Sequence, residues 1–163
     1  MKDLAMDNRF YVDVRSYTKT DELSYDISQH LPRRLSVGPV VVIADNPAVF
    51  LSVMRKRLAK LLYELERQRA STLDRNKRGG LDRELLRLRA ARFTAKSSAR
   101  VANPDVLCVA PYDLGVRLAE CTTLYVTATL SFPQLQACLT MLRPGGLLVV
   151  YGDWPAAYDE VLS

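Results

Sequence analysis

The sequence has little of what catalysis and metal binding usually require. Among its 163 residues are one histidine and three cysteines. Cys108, Cys121 and Cys138 share no C-x-x-C spacing, so neither a disulfide framework nor a metal site is predicted, and reduced thiols are expected. His30 has no nucleophile near it in sequence, which favours a surface or capping role. Nucleophilic catalysis needs nucleophile, base and orienting group together, so a catalytic site is not predicted.

Long apolar runs are also missing. No stretch approaches the roughly 18 unbroken apolar residues of a membrane span. Residues 1–10 carry charges and no apolar run, so no secretory signal is expected. Apolar residues make up 48% of the chain and charged residues 25%, which is typical of a globular protein. We therefore expect a single domain over residues 1–163, without a membrane span and located in the cytoplasm.

Glycine is absent from the turn where a nucleotide would bind. The run Pro39–Ala44 predicts a buried strand, and Asn46 followed by Pro47 predicts the start of a helix. Phosphate-binding loops need glycines to bring backbone N–H groups onto the phosphates, so no cofactor is predicted. Polar residues that follow predicted strands still define a candidate ligand cleft, which consists of Asp45, Asn46 and Asp113. In the alternative interpretation, the carboxylate of Asp45 binds no ligand and stabilises the N-terminus of the following helix.

Strand and helix patterns alternate along the rest of the chain. Apolar runs predict strands, and leucines at helical spacing predict helices between them. Pro32, the pair Gly79-Gly80 and the pair Gly145-Gly146 are expected to end helices. We predict an α/β fold, a three-layer Rossmann-like or RecA-like mostly parallel sheet with a basic helical-hairpin insertion. The predicted strands cover 10–14, 39–44, 106–110, 124–128 and 147–151, and the helices cover 21–31, 47 to about 79, 81–93 and 131–142.

Positive charge is concentrated in one segment. Residues 55–100 hold 15 Lys or Arg against 5 Asp or Glu. Most of them lie in the predicted hairpin of residues 47–93, which is expected to turn at 75–80. Such a surface could neutralise backbone phosphates or bind an acidic protein, and the remaining alternative is a solvated helical pair whose arginines meet acids of the same chain. The candidate binding residues are Arg67, Arg69, Arg75, Lys77, Arg78, Arg83, Arg87 and Arg89.

The C-terminal third resembles the second RecA-like domain of superfamily 2 helicases. The strand at 105–110 precedes a D-x-x-x-x-G-like loop at 111–118, and a further strand and helix follow. The segment 39–58 is similar to that domain's opening strand and helix. The arginine-rich Q-x-x-R-x-G-R motif is not reproduced, since only Arg143 lies in the equivalent helix. The resemblance implies the fold and a nucleic-acid context, without ATP hydrolysis.

The segment Leu142-Arg143-Pro144-Gly145-Gly146 resembles the L-x-P-G-G turn before a late strand of adenosylmethionine-dependent methyltransferases. That turn is structural, and the glycine-rich first motif of that family is missing.

We therefore predict a non-enzymatic accessory or assembly subunit of a nucleic-acid-processing or DNA-transfer machine. Its basic hairpin would bind a phosphate backbone or an acidic protein partner within a larger complex. One alternative is a divergent methyltransferase-like protein, and another is a purely structural protein-interaction scaffold.

Overall fold

The fold is built on a parallel β-sheet. The computed structural model describes residues 10–16, 19–94, 105–114 and 120–152. Six parallel strands form one sheet in the order β1-β6-β5-β2-β4-β3, in which β3 has only two residues. The strands are β1 Phe10–Arg15, β2 Val40–Ile43, β3 Phe93–Thr94, β4 Val106–Val109, β5 Cys121–Val126 and β6 Leu142–Tyr151.

Helices cover both faces of the sheet. The helices are α1 Thr20–Val37, α2 Pro47–Ser71, α3 Arg75–Ala90 and α4 Phe132–Met141. One core cluster joins α1, α2 and α3 to one face of the sheet, and the other joins α4 to the opposite face. The predicted three-layer, Rossmann-like α/β fold is therefore confirmed. Among the described helices, none is both long and apolar enough to cross a membrane.

The first strand and helix confirm one prediction and correct another. Strand β1 lies at the edge of the sheet, as its sequence suggests. Helix α1, however, begins directly after Lys19 and continues through Pro32 to Val37, so neither predicted boundary is right. Leu31 and Leu35 are both almost fully buried on the same face. Burying Leu35 stabilises the last turn, because one buried leucine contributes about 2 kcal/mol.

The junction between β2 and α2 agrees with the sequence. All four residues of β2 are buried, as expected for a strand covered on both faces. The side chain of Asn46 accepts a hydrogen bond from the backbone N–H of Val49, and Pro47 occupies the first helical turn. The N–H groups of the first helical turn have no acceptor within the helix, and the side chain of Asn46 supplies one for Val49.

The hairpin turns earlier than its glycines suggest. Helix α2 ends at Ser71, and α3 begins at Arg75 because the carboxylate of Asp74 accepts hydrogen bonds from two N–H groups of its first turn. The predicted turn at 75–80 is therefore wrong, and Gly79 and Gly80 lie inside α3. Each glycine costs the helix about 1 kcal/mol relative to alanine, which the burial of Leu85 and Leu88 further along α3 offsets.

The C-terminal glycine pair forms a strand irregularity instead of a helix end. Helix α4 starts at the predicted cap Ser131, through a capping box with Gln134, but stops at Met141. The pairing of β5 with β6 shifts around residues 143–146. Gly145 has a φ of +79°, and a Cβ on Gly146 would lie 2.9 Å from the carbonyl oxygen of Thr122. Only glycine fits these two positions.

Strand β5 begins three residues before the predicted position, because Cys121 is buried and already pairs with Leu142. The predicted connection at 94–103 lies largely outside the described residues, as do residues 115–118 of the loop at 111–118 used for the helicase resemblance.

The carboxyl and amino edges of the sheet carry different candidate sites. Helix α2 leads from β2 towards β4 on one face, whereas α4 leads from the neighbouring β5 towards β6 on the other face. The carboxyl ends of β2 and β5 therefore flank a topological switch point, where α/β proteins commonly bind ligands. The hairpin lies at the opposite, amino edge of the sheet.

Candidate anion-binding surface

The basic hairpin extends past the sheet because α2 is much longer than its strand. At 1.5 Å per residue the 25 residues of α2 span about 37 Å, whereas the four residues of β2 span about 13 Å. Phe50, Met54 and Leu58 of α2 pack with the sheet, and Leu65 packs with leucines of α3. The last turns of α2 and the first turns of α3 thus form a tip, defined here as residues 66–80, that projects from the amino edge.

Two hairpin arginines pair with acids across the two helices. The guanidinium of Arg69 on α2 forms an ion pair with Asp82 on α3, and Arg89 on α3 forms one with Glu66 on α2. Both pairs are solvent-exposed, so each contributes at most about 1 kcal/mol. Their positive charge is largely neutralised within the hairpin.

Arg87 anchors the hairpin to the rest of the domain. Its Nε and Nη2 atoms donate hydrogen bonds of 3.1 and 2.6 Å to the backbone carbonyl oxygen of Leu35, in the last turn of α1. The same guanidinium lies 3.7 Å from Asp105, just before β4. A carbonyl at a helix C-terminus has no partner within its helix, so Arg87 satisfies a group that α1 leaves open.

Four of the eight predicted binding residues remain unpaired among the described residues. Arg75, Lys77, Arg78 and Arg83 are exposed, and within the described parts of the chain none of their side chains forms a hydrogen bond or ion pair. Arg67 is exposed as well, with its guanidinium 6.0 Å from the centre of the Tyr63 ring. Of the eight predicted binding residues, three are thus engaged by the protein itself and five remain open to a partner.

A groove runs between α1 and α3 beside these cations. It has a volume of about 450 Å³ and is lined by Pro32, Arg33 and Ser36 of α1 and by Gly80, Arg83, Glu84 and Arg87 of α3. Arg33 is exposed and forms no ion pair within the described residues. Sequence reasoning missed Arg33, because it lies outside the hairpin and only the packing of α1 on α3 brings it there.

The predicted ligand-cleft residues lie at the other end of the sheet. Asp45 and Asn46 follow β2, and Asp113 closes a 3-10 turn after the neighbouring strand β4. The same edge therefore carries all three residues. The side chain of Asn46 is already committed to capping α2.

A buried polar cluster beneath α1 was not predicted. The guanidinium of Arg15 donates two hydrogen bonds, of 2.8 and 3.0 Å, to the carboxylate of Asp26 and one of 3.0 Å to Asp13. The hydroxyl of Tyr151 donates a 2.6 Å hydrogen bond to Asp26. Asp13 and Arg15 share one face of β1, which the sequence does indicate, but only the fold places Asp26 and Tyr151 against them.

Burial controls the titration of this cluster. Burial and the hydrogen bond to Asp26 raise the pKa of the Tyr151 hydroxyl well above its ordinary value. Burial alone would lower the pKa of Arg15, but the carboxylates of Asp26 and Asp13 raise it overall. The Nδ1 atom of the half-buried His30 lies 2.8 Å from the backbone carbonyl oxygen of Asp26 and donates to it. The cluster therefore fastens the edge strand β1 to α1 and β6.

The cysteines are buried and unreactive. Cys108, Cys121 and Cys138 are free thiols, and all three are buried. Burial raises the pKa of each thiol to about 12, so very little nucleophilic thiolate forms near neutral pH. Over the described ranges, no group of three or more His, Cys, Asp or Glu side chains could hold a metal ion.

Comparisons with known proteins add no family: no protein-family model matches the sequence, and no curated protein is found to be related to it.

Proposed function

We propose that this protein binds the phosphate backbone of nucleic acid through the tip of its basic hairpin. In this proposal it is a non-enzymatic, cytoplasmic accessory or assembly subunit of a nucleic-acid-processing or DNA-transfer machine. The observation that carries the proposal is the group of exposed cations Arg75, Lys77, Arg78 and Arg83, which no described acid neutralises. Counterion release from phosphates then supplies a binding free energy that does not depend on base sequence.

The composition of the tip favours a polyanion over a folded acidic protein. Stable protein interfaces depend on a few buried aromatic or arginine anchors surrounded by apolar contacts. The large apolar side chain exposed in the turn is Leu73, and the nearby Tyr63 ring is also exposed, with the guanidinium of Arg67 6.0 Å from its centre. A surface on which arginine and lysine outnumber the acids and few large apolar side chains are exposed fits a phosphate backbone better.

The state of the other polar groups supports a binding role over a catalytic one. The thiols are buried and protonated, and the buried acids Asp13 and Asp26 are engaged by Arg15. The glycine-free turn after β2, where Asn46 is committed to its capping bond, speaks against an adenosylmethionine site of the methyltransferase kind. Asp45 and Asp113 remain the residues to vary if such a ligand raises the melting temperature.

A titration of oligonucleotides against two proteins tests the proposal. The wild type and the variant R75E/K77E/R78E are titrated with single- and double-stranded 30-mers at about 50 mM salt. Reversing three exposed charges is expected to weaken binding by about a hundredfold or more. The melting temperature should change little, because the three side chains make no described contact.

A matched control uses Glu64 and Glu84, exposed acids of the same two helices. The variant E64Q/E84Q should bind oligonucleotides at least as tightly as the wild type. Absence of oligonucleotide binding by the wild type would overturn the proposal. Binding of poly-L-glutamate in its place would assign the surface to an acidic protein, and binding of neither polymer would leave the scaffold alternative.

A further inference from the structure

Nothing in the described part of the chain requires glycine at the two positions 79 and 80 inside α3. Neither Gly79 nor Gly80 has a positive φ. A Cβ added to Gly79 would have as its nearest neighbour the Nη1 atom of Arg83 at 3.8 Å, and one added to Gly80 would meet Nη2 of Arg83 at 4.0 Å. Those are ordinary contacts with the end of a flexible side chain. Alanine would therefore fit both positions and favour the helix.

The two glycines differ in what they face. Gly80 lines the groove between α1 and α3, whereas Gly79 is not among the lining residues. The groove places Arg33 of α1 opposite Arg83 of α3, and both guanidinium groups are exposed and unpaired within the described residues. Glu84 is the one acid among the described residues of its lining, so the positive charges outnumber the negative ones.

Arg87 fixes the width of this groove. Its two hydrogen bonds to the carbonyl of Leu35 hold α3 against the last turn of α1. Arg83 lies one turn before Arg87 on the same face of α3, and Arg33 lines the groove from α1, so both side chains extend from helices that are fixed in place. Guanidinium groups held in this way recognise phosphate oxygens through paired N–H donors.

We propose that the groove between α1 and α3 is a binding site for one backbone phosphate, here called the seat. Arg33 and Arg83 hold the phosphate next to Gly80, which has no side chain. This inference rests on the proposed function and deepens it, because it adds a contact from α1 to those of the hairpin tip. The N–H of Gly80 is already bonded within α3, so what the missing side chain provides is room for the phosphate beside the guanidinium of Arg83.

Single substitutions of the two glycines test the seat. Gly80→Ala and Gly79→Ala should each raise the melting temperature by about 2 °C, because alanine favours the helix. Gly80→Ala should nevertheless weaken oligonucleotide binding about fivefold, because the added methyl group holds the phosphate away from the guanidinium of Arg83 and weakens one hydrogen bond, while Gly79→Ala should bind like the wild type. Arg33→Ala should lower the salt slope of binding by about one.

Three results would contradict the seat. Gly80→Ala and Arg33→Ala could bind as tightly as the wild type while R75E/K77E/R78E does not bind, in which case the seat is wrong and the tip proposal stands. A lower melting temperature for Gly80→Ala would mean that a Cβ does not fit there. If the wild type itself binds no oligonucleotide, both proposals are overturned together.

Discussion

Two charged regions of this protein contain the same residue types in opposite states. Beneath α1, Arg15 is paired with two carboxylates that are themselves buried, and Tyr151 adds its hydroxyl. At the hairpin tip, Arg75 and Lys77 are exposed and no described acid pairs with them. The comparison teaches that an arginine indicates a binding surface only when the protein leaves its guanidinium unused. The first region stabilises the fold, and the second is available to a partner.

Removing the central carboxylate of the buried cluster should have the largest effect on stability. Asp26→Ala leaves Arg15 and Tyr151 without their shared acceptor, and because Arg15 is only partly buried the loss should be about 3 kcal/mol, the low end for a buried ion pair. Chemical denaturation should measure this loss in the free energy of unfolding. Tyr151→Phe, which removes a single hydrogen bond to a charged group, should cost about 2 kcal/mol. Normal stability in Asp26→Ala would mean that the cluster does not fasten β1.

Alkaline pH should destabilise the interior. The folded state raises the pKa of Cys108, Cys121 and Cys138 from 9.0 to about 12. A raised pKa contributes stability that is fully present below the unfolded value and is lost as the pH rises towards the folded one. Between pH 8 and pH 10 the free energy of unfolding should fall by about 1 kcal/mol per thiol.

Denaturation curves at pH 8 and pH 10 measure this loss. The triple variant of these cysteines to alanine serves as the control, because it should lose much of the pH dependence. An unfolding free energy that is equal at the two pH values in the wild type would contradict the burial of the thiols.

Within the hairpin, the anchoring and the unpaired arginines should separate by assay. Arg87→Ala removes two hydrogen bonds to the carbonyl of Leu35 and should lower the free energy of unfolding by about 1.5 kcal/mol. Arg83→Ala should change stability by less than about 0.5 kcal/mol but weaken oligonucleotide binding. Thermal melts and titrations of both variants check this, and equal effects of both on stability would remove the distinction.

Local chemistry made part of the fold predictable. The caps at Asn46 and Ser131 and the buried run of β2 follow from neighbouring residues alone. Errors occurred at Pro32 and at Gly79-Gly80, since burial of leucines keeps a helix intact past a residue that would otherwise end it. At Gly145-Gly146 the error had another cause, because α4 already ends at Met141 and the two glycines lie in β6. The ends of α1 and α3 could not be inferred without knowing which side chains reach the core.

The candidate site was predictable only in part. A segment rich in arginine was visible in the sequence, but its division into anchored and unpaired members was not. Arg87 is anchored by Leu35 and Asp105, and Arg33 joins the surface from a separate helix. Both facts depend on how α1 packs on α3, which no local pattern encodes.

The salt dependence of nucleic-acid binding tests the central claim most directly. Besides Arg67, whose guanidinium lies over the Tyr63 ring, the account counts five open cations around the groove and tip, namely Arg33, Arg75, Lys77, Arg78 and Arg83. The plot of log Kd against log salt concentration for a duplex should therefore have a slope of about 4 in the wild type and less than about 2 in R75E/K77E/R78E. A slope below about 1 in the wild type, or equal slopes in the two proteins, would contradict it.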